Sequence, residues 1–294
     1  MSTSVLAIVN GKGGCGKTSC AANLAAIWAS ERRRLLAVDL DAQGNLAVDL
    51  GLEDTDAGLA LSLAVQGGPA IDPVRDVRPG LDLVAGGTRT DQLAAALGAR
   101  RHARDAILDV VAVLRATAAS YELAVIDTAP AGGLIEDAAL VAADWIVVPT
   151  KADDKSLLGL QRVSHRLAAL RDDGLPVGAL AGIVLFAIPA AATRIRQATR
   201  RELLDAFGSQ NAVFDSVIRA SERGAIDQAR NGLVAVEYAK AADQLAKPYW
   251  QDPDAPRFAA GAHTLADDYR ALADEILQRI GTHAASGTLP SPVA

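Results

Sequence analysis

The sequence predicts an α/β fold, a doubly wound and mostly parallel sheet flanked by helices. Short apolar runs alternate with longer helical patterns along most of the chain, which is the signature of successive βαβ units. Several runs are continuously apolar rather than alternating, as strands covered on both faces must be. Half of the 294 residues are hydrophobic, enough for a sizeable core, and the length suits one large domain. The expected division is a single domain over 1–280 followed by a disordered tail, 281–294, rich in Gly, Ser, Thr and Pro.

Taken in order, the expected strands are Leu6–Asn10, Leu35–Asp39, Leu81–Ala85, Leu123–Asp127, Trp145–Pro149 and Ala181–Ala187. Between them lie the expected helices Lys17–Ser30, Arg104–Ala119, Ile135–Ala142, Lys155–Arg171 and Thr193–Phe207. The last third is less regular. Ser221–Arg230 and Val234–Ala246 read as short helices, followed by a proline-rich loop from Lys247 to Pro256. A final helix, His263 to Ile280, places Leu265, Tyr269, Leu272, Ile276 and Ile280 on one face. Only 4% of residues are aromatic, so Ala, Leu, Val and Ile must build the core.

Composition removes several function classes. The apolar run Val5 to Val9 is too short for a signal peptide or a membrane span, and two cysteines, Cys15 and Cys20, cannot make a disulfide framework. They read as reduced thiols of a cytoplasmic protein. A net charge of −6 argues against a uniformly basic surface but leaves room for a local one.

The segment Gly11-Lys12-Gly13-Gly14-Cys15-Gly16-Lys17-Thr18-Ser19 follows a strand and opens a helix. That context makes it a P-loop, in which glycines let backbone N–H groups turn toward phosphates at the positive end of the helix. Lys17 is expected to neutralise the β- and γ-phosphates of ATP, and the Thr18 hydroxyl to ligate Mg²⁺. In Leu36-Ala-Val-Asp-Leu-Asp-Ala-Gln-Gly-Asn45 the apolar strand ends at Asp39, so Asp39 and Asp41 emerge beside the P-loop, where ligands collect in such sheets. Aspartates after a strand also serve as turn or helix caps. Leu123-Ala-Val-Ile-Asp127 has the form of a Walker B strand, with Asp127 toward the Mg²⁺ shell.

The second lysine, Lys12, makes this a "deviant" P-loop. With Asp39-Leu-Asp-Ala-Gln-Gly-Asn45, Asp127-Thr-Ala-Pro130 and Asp144-Trp-Ile-Val-Val-Pro-Thr150, it resembles the ParA/MinD superfamily of P-loop ATPases, and within it the ParA partition ATPases. Ala42 and Ala129 stand where that family commonly has proline. The resemblance spans Val5 to about Ile280. It implies a P-loop NTPase fold of the ParA/MinD type, an ATP-dependent homodimer in which Lys12 reaches the partner's phosphates, Asp41 orienting the attacking water, and Asp39 near the Mg²⁺ shell. Hydrolysis is expected to be slow until a ParB-like activator stimulates it, in a cycle that segregates plasmid or chromosomal DNA.

The stretch Ser216 to Leu233 resembles the late ParA segment that flanks the base pocket and contributes to DNA binding. Between Arg194 and Lys240 eight basic residues face six acidic ones, against 21 and 29 in the remainder. Arg194, Arg196, Arg200, Arg201, Arg219, Arg223, Arg230 and Lys240 are therefore the expected contacts to nucleoid DNA, sequence-independent and salt-sensitive. Rival readings are a MinD-like membrane-cycling ATPase, a ligase on the same fold, or positioning of a protein cargo such as a carboxysome or chemoreceptor cluster. The tail Gly281–Ala294 contains no Lys or Arg and lacks the basic amphipathic helix that membrane cycling needs.

Overall fold

The computed structural model describes residues 3–30, 32–130, 132–153, 156–207, 212–245, 258–259 and 261–286. The loop expected from Lys247 to Pro256 lies outside the described residues, as does 287–294. Eight strands form one sheet in the order β3-β4-β2-β5-β1-β6-β7-β8. They are β1 (Ser4–Ile8), β2 (Leu35–Asp39), β3 (Val74–Arg78), β4 (Leu81–Val84), β5 (Leu123–Asp127), β6 (Trp145–Thr150), β7 (Ala179–Ile188) and β8 (Val213–Arg219). All pairings are parallel except β3 with β4, so the sheet is doubly wound as expected.

The helices are α1 (Lys17–Trp28), α2 (Asn45–Asp49), α3 (Leu59–Val65), α4 (Thr88–Gly98), α5 (Ala103–Ala118), α6 (Leu134–Ala142), α7 (Ser156–Asp172), α8 (Thr193–Phe207), α9 (Glu222–Asn231), α10 (Ala235–Leu245) and α11 (Ala262–Ser286). Because side chains alternate across a strand, β1 sends Val5 and Ala7 into one core and Leu6 and Ile8 into another. The first core is closed by α3 to α8, the second by α1, α2, α10 and α11. The face expected on the last helix is buried through Leu265, Tyr269, Leu272 and Ile276, each contributing roughly 1.5–3 kcal/mol. That helix runs past Ile280 to Ser286, so the expected tail begins later than 281.

Two strands and three helices are additional to the expected set. β3 reads Val-Arg-Asp-Val-Arg and is largely exposed; charges on an edge strand block pairing with other chains and hide the strand pattern. β8 ends at Arg219, inside the stretch read by resemblance from Ser216. α2, α3 and α4 follow glycine N-caps with positive φ at Gly44, Gly58 and Gly87, without the polar cap that marks a helix start. Asp144 also gains a structural explanation. Its carboxylate accepts from the Val5 backbone at 2.7 Å and from both terminal nitrogens of Arg115, fastening α5 to the edge of β1.

Candidate nucleotide site

Register brings the carboxyl ends of three strands together. Ile8 on β1 pairs with Asp127 on β5, and Asp127 pairs with Asp39 on β2. The chain leaving β1 forms the loop Val9 to Gly16 and enters α1 at Lys17. Gly14 and Gly16 have φ of 69° and 91°, the left-handed region that favours glycine. At Gly16 a Cβ would also fall 2.3 Å from the Phe186 ring, so the turn excludes any side chain there. No side chain caps α1, which leaves its first N–H groups for an anion.

Buried Asn10 holds this loop, and sequence reasoning passed over it. Its Nδ2 donates to the Pro149 carbonyl at 2.8 Å and its Oδ1 accepts from the Lys12 N–H at 2.9 Å, tying the loop to β6. The signal was a polar residue ending an apolar run just before the first glycine. Gly159 on α7 packs against the same amide, where a Cβ would lie 2.9 Å from Oδ1.

The two P-loop lysines diverge. Lys17 is buried, and its Nζ donates to the Lys12 carbonyl at 3.3 Å. Lys12 leaves the cradle and its Nζ contacts Asp153 at 2.5 Å at the partly exposed rim. Cys15 is buried beneath the loop, with Sγ 3.1 Å from the Lys12 carbonyl, and burial raises its thiol pKa.

Asp127 is fully buried, and neither carboxylate oxygen has a hydrogen-bond partner among the described residues. Burial pushes its pKa well above the usual carboxylate range and the neighbouring Asp39 pushes it further, while Thr18 and Lys17 pull it down. The Thr18 hydroxyl thus faces the carboxylate without making a hydrogen bond of good geometry. An orphaned buried carboxylate is costly, and a cation beside Thr18 would satisfy it. Among the described residues no three His, Cys, Asp or Glu side chains converge as a metal cage. The donor set therefore fits Mg²⁺ held through Thr18, Asp127, waters and phosphate oxygens.

Asp39 does something the sequence did not specify. Its Oδ1 accepts from the Asp41 N–H at 2.8 Å and its Oδ2 from the Leu46 N–H at 3.1 Å, so it shapes the loop that carries Asp41. Burial nevertheless raises its pKa to about 7. Asp41 is buried and its Oδ1 accepts from the Gln43 N–H at 2.9 Å. Gly86 closes over this pair, because a Cβ there would meet the Asp39 carboxylate carbon at 2.7 Å.

Two cavities flank the loop. One, about 360 Å³, opens at Ser19 and runs along α1 past Ala22 and Asn23, walled by Phe186, Ile218 and Leu265. Ala187, also on its wall, has φ of 56°, a strained value for a residue with a Cβ. The other, about 340 Å³, lies between Gly11, Pro130, Glu136 and Arg162. Burial raises the Glu136 carboxyl to about 7, helped by Asp137 and opposed by Lys17 and Arg166. Glu136 escaped sequence reasoning because nothing local marks it.

The expected basic contacts separate into two groups. Arg219 is committed to α11: its guanidinium donates to Asp268 and its backbone N–H to the same carboxylate. Arg200 binds Asp215 and the Phe214 carbonyl, and Arg223 lies 3.6 Å from Asp227. Arg194, Arg196, Arg201, Arg230 and Lys240 are exposed. Among the described residues, no helix is long and apolar enough to cross a membrane.

A family model described as an AAA domain matches residues 3–175. The chromosome partitioning protein ParA of Caulobacter vibrioides is 30% identical over 223 residues, covering 74% of this chain and 81% of the relative. The chromosome-partitioning ATPase Soj of Thermus thermophilus is 31% identical over 281 residues, covering 94% of this chain and 96% of its own. Among solved structures, the Cyanothece McdA–ATP complex superposes with a TM-score of 0.73 at 19% identity, covering 95% and 97% of the two chains. A cobyrinic acid a,c-diamide synthase from Mycobacterium smegmatis gives 0.63 at 23% identity, covering 87% and 100%. A fold shared by McdA and a synthase does not fix a function; the curated relatives and the deviant P-loop give the family. The chain belongs to the ParA family of P-loop partition ATPases.

Proposed function

We propose that this chain is an ATP-dependent dimerising switch that holds DNA in its ATP state and releases it after hydrolysis, moving a plasmid or chromosome with a ParB-like partner. The observation that carries the reading is the division between the two P-loop lysines. Lys17 is buried in the cradle, and Lys12 stands at the rim on Asp153. The buried cation suits phosphates bound within the chain, and the partly exposed one supports a role toward a second copy. Thr18 and Asp127 would hold Mg²⁺, which supplies charge neutralisation at the phosphates. Asp41 orients the attacking water from a loop fixed by Asp39.

ATP binding without consequence would be no switch, since a ligand shifts an equilibrium only through differential affinity. Here the ATP-bound dimer doubles every exposed cation of the Arg194–Lys240 stretch and thereby raises its affinity for phosphates. The decisive experiment is Lys12→Ala followed by light scattering with ATP and Mg²⁺. The expected product binds nucleotide as a monomer and fails to dimerise; full ATP-dependent dimerisation would refute the role of Lys12 in trans. Capturing the activating partner with a hydrolysis-deficient variant separates a DNA cargo from a protein one.

A further inference from the structure

The segment that carries Asp41 is gripped at both ends, and its far end rests on a residue outside the P-loop and its aspartates. α2 has five residues, far below the length at which a helix is stable by itself, so its place is set by what holds its ends. At the near end Asp39 accepts from the Leu46 N–H, and the Gly44 N–H donates to the Asp41 carbonyl at 3.1 Å. At the far end the Leu50 carbonyl, of the kind a helix leaves without a partner of its own, accepts from Arg78 at 2.9 Å.

Arg78 closes β3, a largely exposed edge strand, yet its own side chain is only 17% exposed. All five of its N–H donors are used. Nε and one terminal nitrogen take the Glu237 carboxylate at 2.6 and 3.0 Å, and that same nitrogen reaches the Gly232 carbonyl at 2.8 Å. The other terminal nitrogen donates to Leu50 and, at 2.8 Å, to the Val77 carbonyl. One guanidinium thus joins the end of α2 to Gly232, the C-cap of α9, and to Glu237 in the first turn of α10. The two backbones it bridges touch: a Cβ on Gly232 would fall 2.2 Å from the Gly51 Cα. α10 is in turn tied to the P-loop helix, because the Ala235 N–H donates to the Asn23 Oδ1 at 2.7 Å.

We propose that Arg78 is a positioning residue for hydrolysis: it anchors the far end of α2 on the α9–α10 junction and so holds the Asp41 carboxylate where it meets the attacking water. A planar, forked donor serves both carbonyls and the carboxylate at once, whereas a lysine ammonium is a single point on a flexible stem. Without the fork, α2 swings on Asp39 and the Asp41 loop loses its fixed geometry, while the phosphate cradle does not change. This rests on the reading of Asp41 above and deepens it by naming what keeps that carboxylate in place.

The test is phosphate release by the full chain at saturating ATP and Mg²⁺, with ATP affinity by calorimetry beside it. Arg78→Lys is expected to bind ATP as the parent does and to release phosphate roughly 10- to 100-fold more slowly, the effect of a misplaced catalytic group. Hydrogen exchange at the Asp41, Gln43 and Leu46 amides should quicken roughly 10-fold in the same variant. Glu237→Gln is the structural control. It weakens the charge pair and lowers Tm but leaves the Leu50 and Gly232 bonds, so release should stay near the parent's. Parent-like release or parent-like exchange in folded Arg78→Lys overturns the proposal. An equal loss in Glu237→Gln also overturns it, by placing the effect in general stability. Asp41→Ala separates the two readings. Slow release there with normal release in Arg78→Lys sinks the Arg78 assignment alone, and normal release in Asp41→Ala sinks the role of Asp41 and this proposal with it.

Discussion

The P-loop side of the sheet and the basic stretch from Arg194 to Lys240 were both found from charge and motif, and they behave differently in the structure. At the P-loop, Lys17, Asp39, Asp41 and Asp127 are buried together. Thr18 and Lys17 both lower the pKa of buried Asp127, and Asp39 accepts from two backbone N–H groups. In the basic stretch the charges divide: Arg219, Arg200 and Arg223 are engaged by Asp268, Asp215 and Asp227, whereas Arg194 and Arg196 stand exposed at the start of α8. A count of charges along the chain measures supply. Only the fold shows which charges remain to be offered to a ligand.

The largest effects should come from the buried side of this comparison. Lys17→Ala removes the one cation inside the cradle, and truncating a desolvated charge partner costs about 2–5 kcal/mol. ATP affinity by calorimetry is therefore expected to fall by roughly 30-fold or more; an unchanged affinity would remove the site assignment. Asp41→Ala should lower partner-stimulated turnover about 100-fold while leaving ATP binding and dimerisation in place, because Lys17, Thr18 and Asp127 remain. The variant is expected to persist on DNA as a trapped dimer. Normal phosphate release would rule out the catalytic role of Asp41.

How much of this was legible beforehand follows the same division. The strand–loop–helix at Ser4 to Trp28 and the strands ending at Asp39 and Asp127 could be read because each is a contiguous run whose chemistry and period agree. Asn10 was half-legible, a polar residue ending an apolar run. Glu136 was not, since its significance arises from α6 meeting the P-loop across a shared cavity. β3 was hidden by its exposed charges. Arg219 was chosen for its charge, but its partner Asp268 lies 49 residues away on α11, and no local pattern announces a pair of that separation.

Burial also gives the nucleotide side a pH dependence. The Glu136 carboxyl is raised to about 7 from an ordinary 4.5, so the folded state binds its proton more tightly than the unfolded chain. The corresponding stability is fully present below about pH 4.5 and is lost as pH rises toward 7. Glu136→Gln, which mimics the protonated form, should therefore raise Tm relative to the parent at pH 8 and leave it nearly unchanged at pH 4. The gain is at most about 3 kcal/mol. Equal shifts at both pH values would place the effect in packing instead.

The smallest expected effects decide which half of the basic stretch meets DNA. If Arg194 and Arg196 contact phosphates, Arg194→Ala or Arg196→Ala removes two contacts per dimer. Each should flatten the slope of log affinity against log salt by roughly two units. Binding should weaken equally on any sequence, with Tm unchanged, because neither side chain is held by the fold. Arg219→Ala is the contrasting case. It leaves the Asp268 carboxylate, 8% exposed at its side chain, without its main partner, so stability should fall by about 1–3 kcal/mol. The salt slope of the dimer that still forms should stay near the parent's. Retention on DNA with ATP at several salt concentrations, run beside a thermal melt, separates the two. A salt slope that changes for Arg219→Ala and not for the α8 substitutions would reverse the assignment, moving the DNA surface from the start of α8 to the end of β8 and making the Asp268 pair a contact that opens when DNA binds.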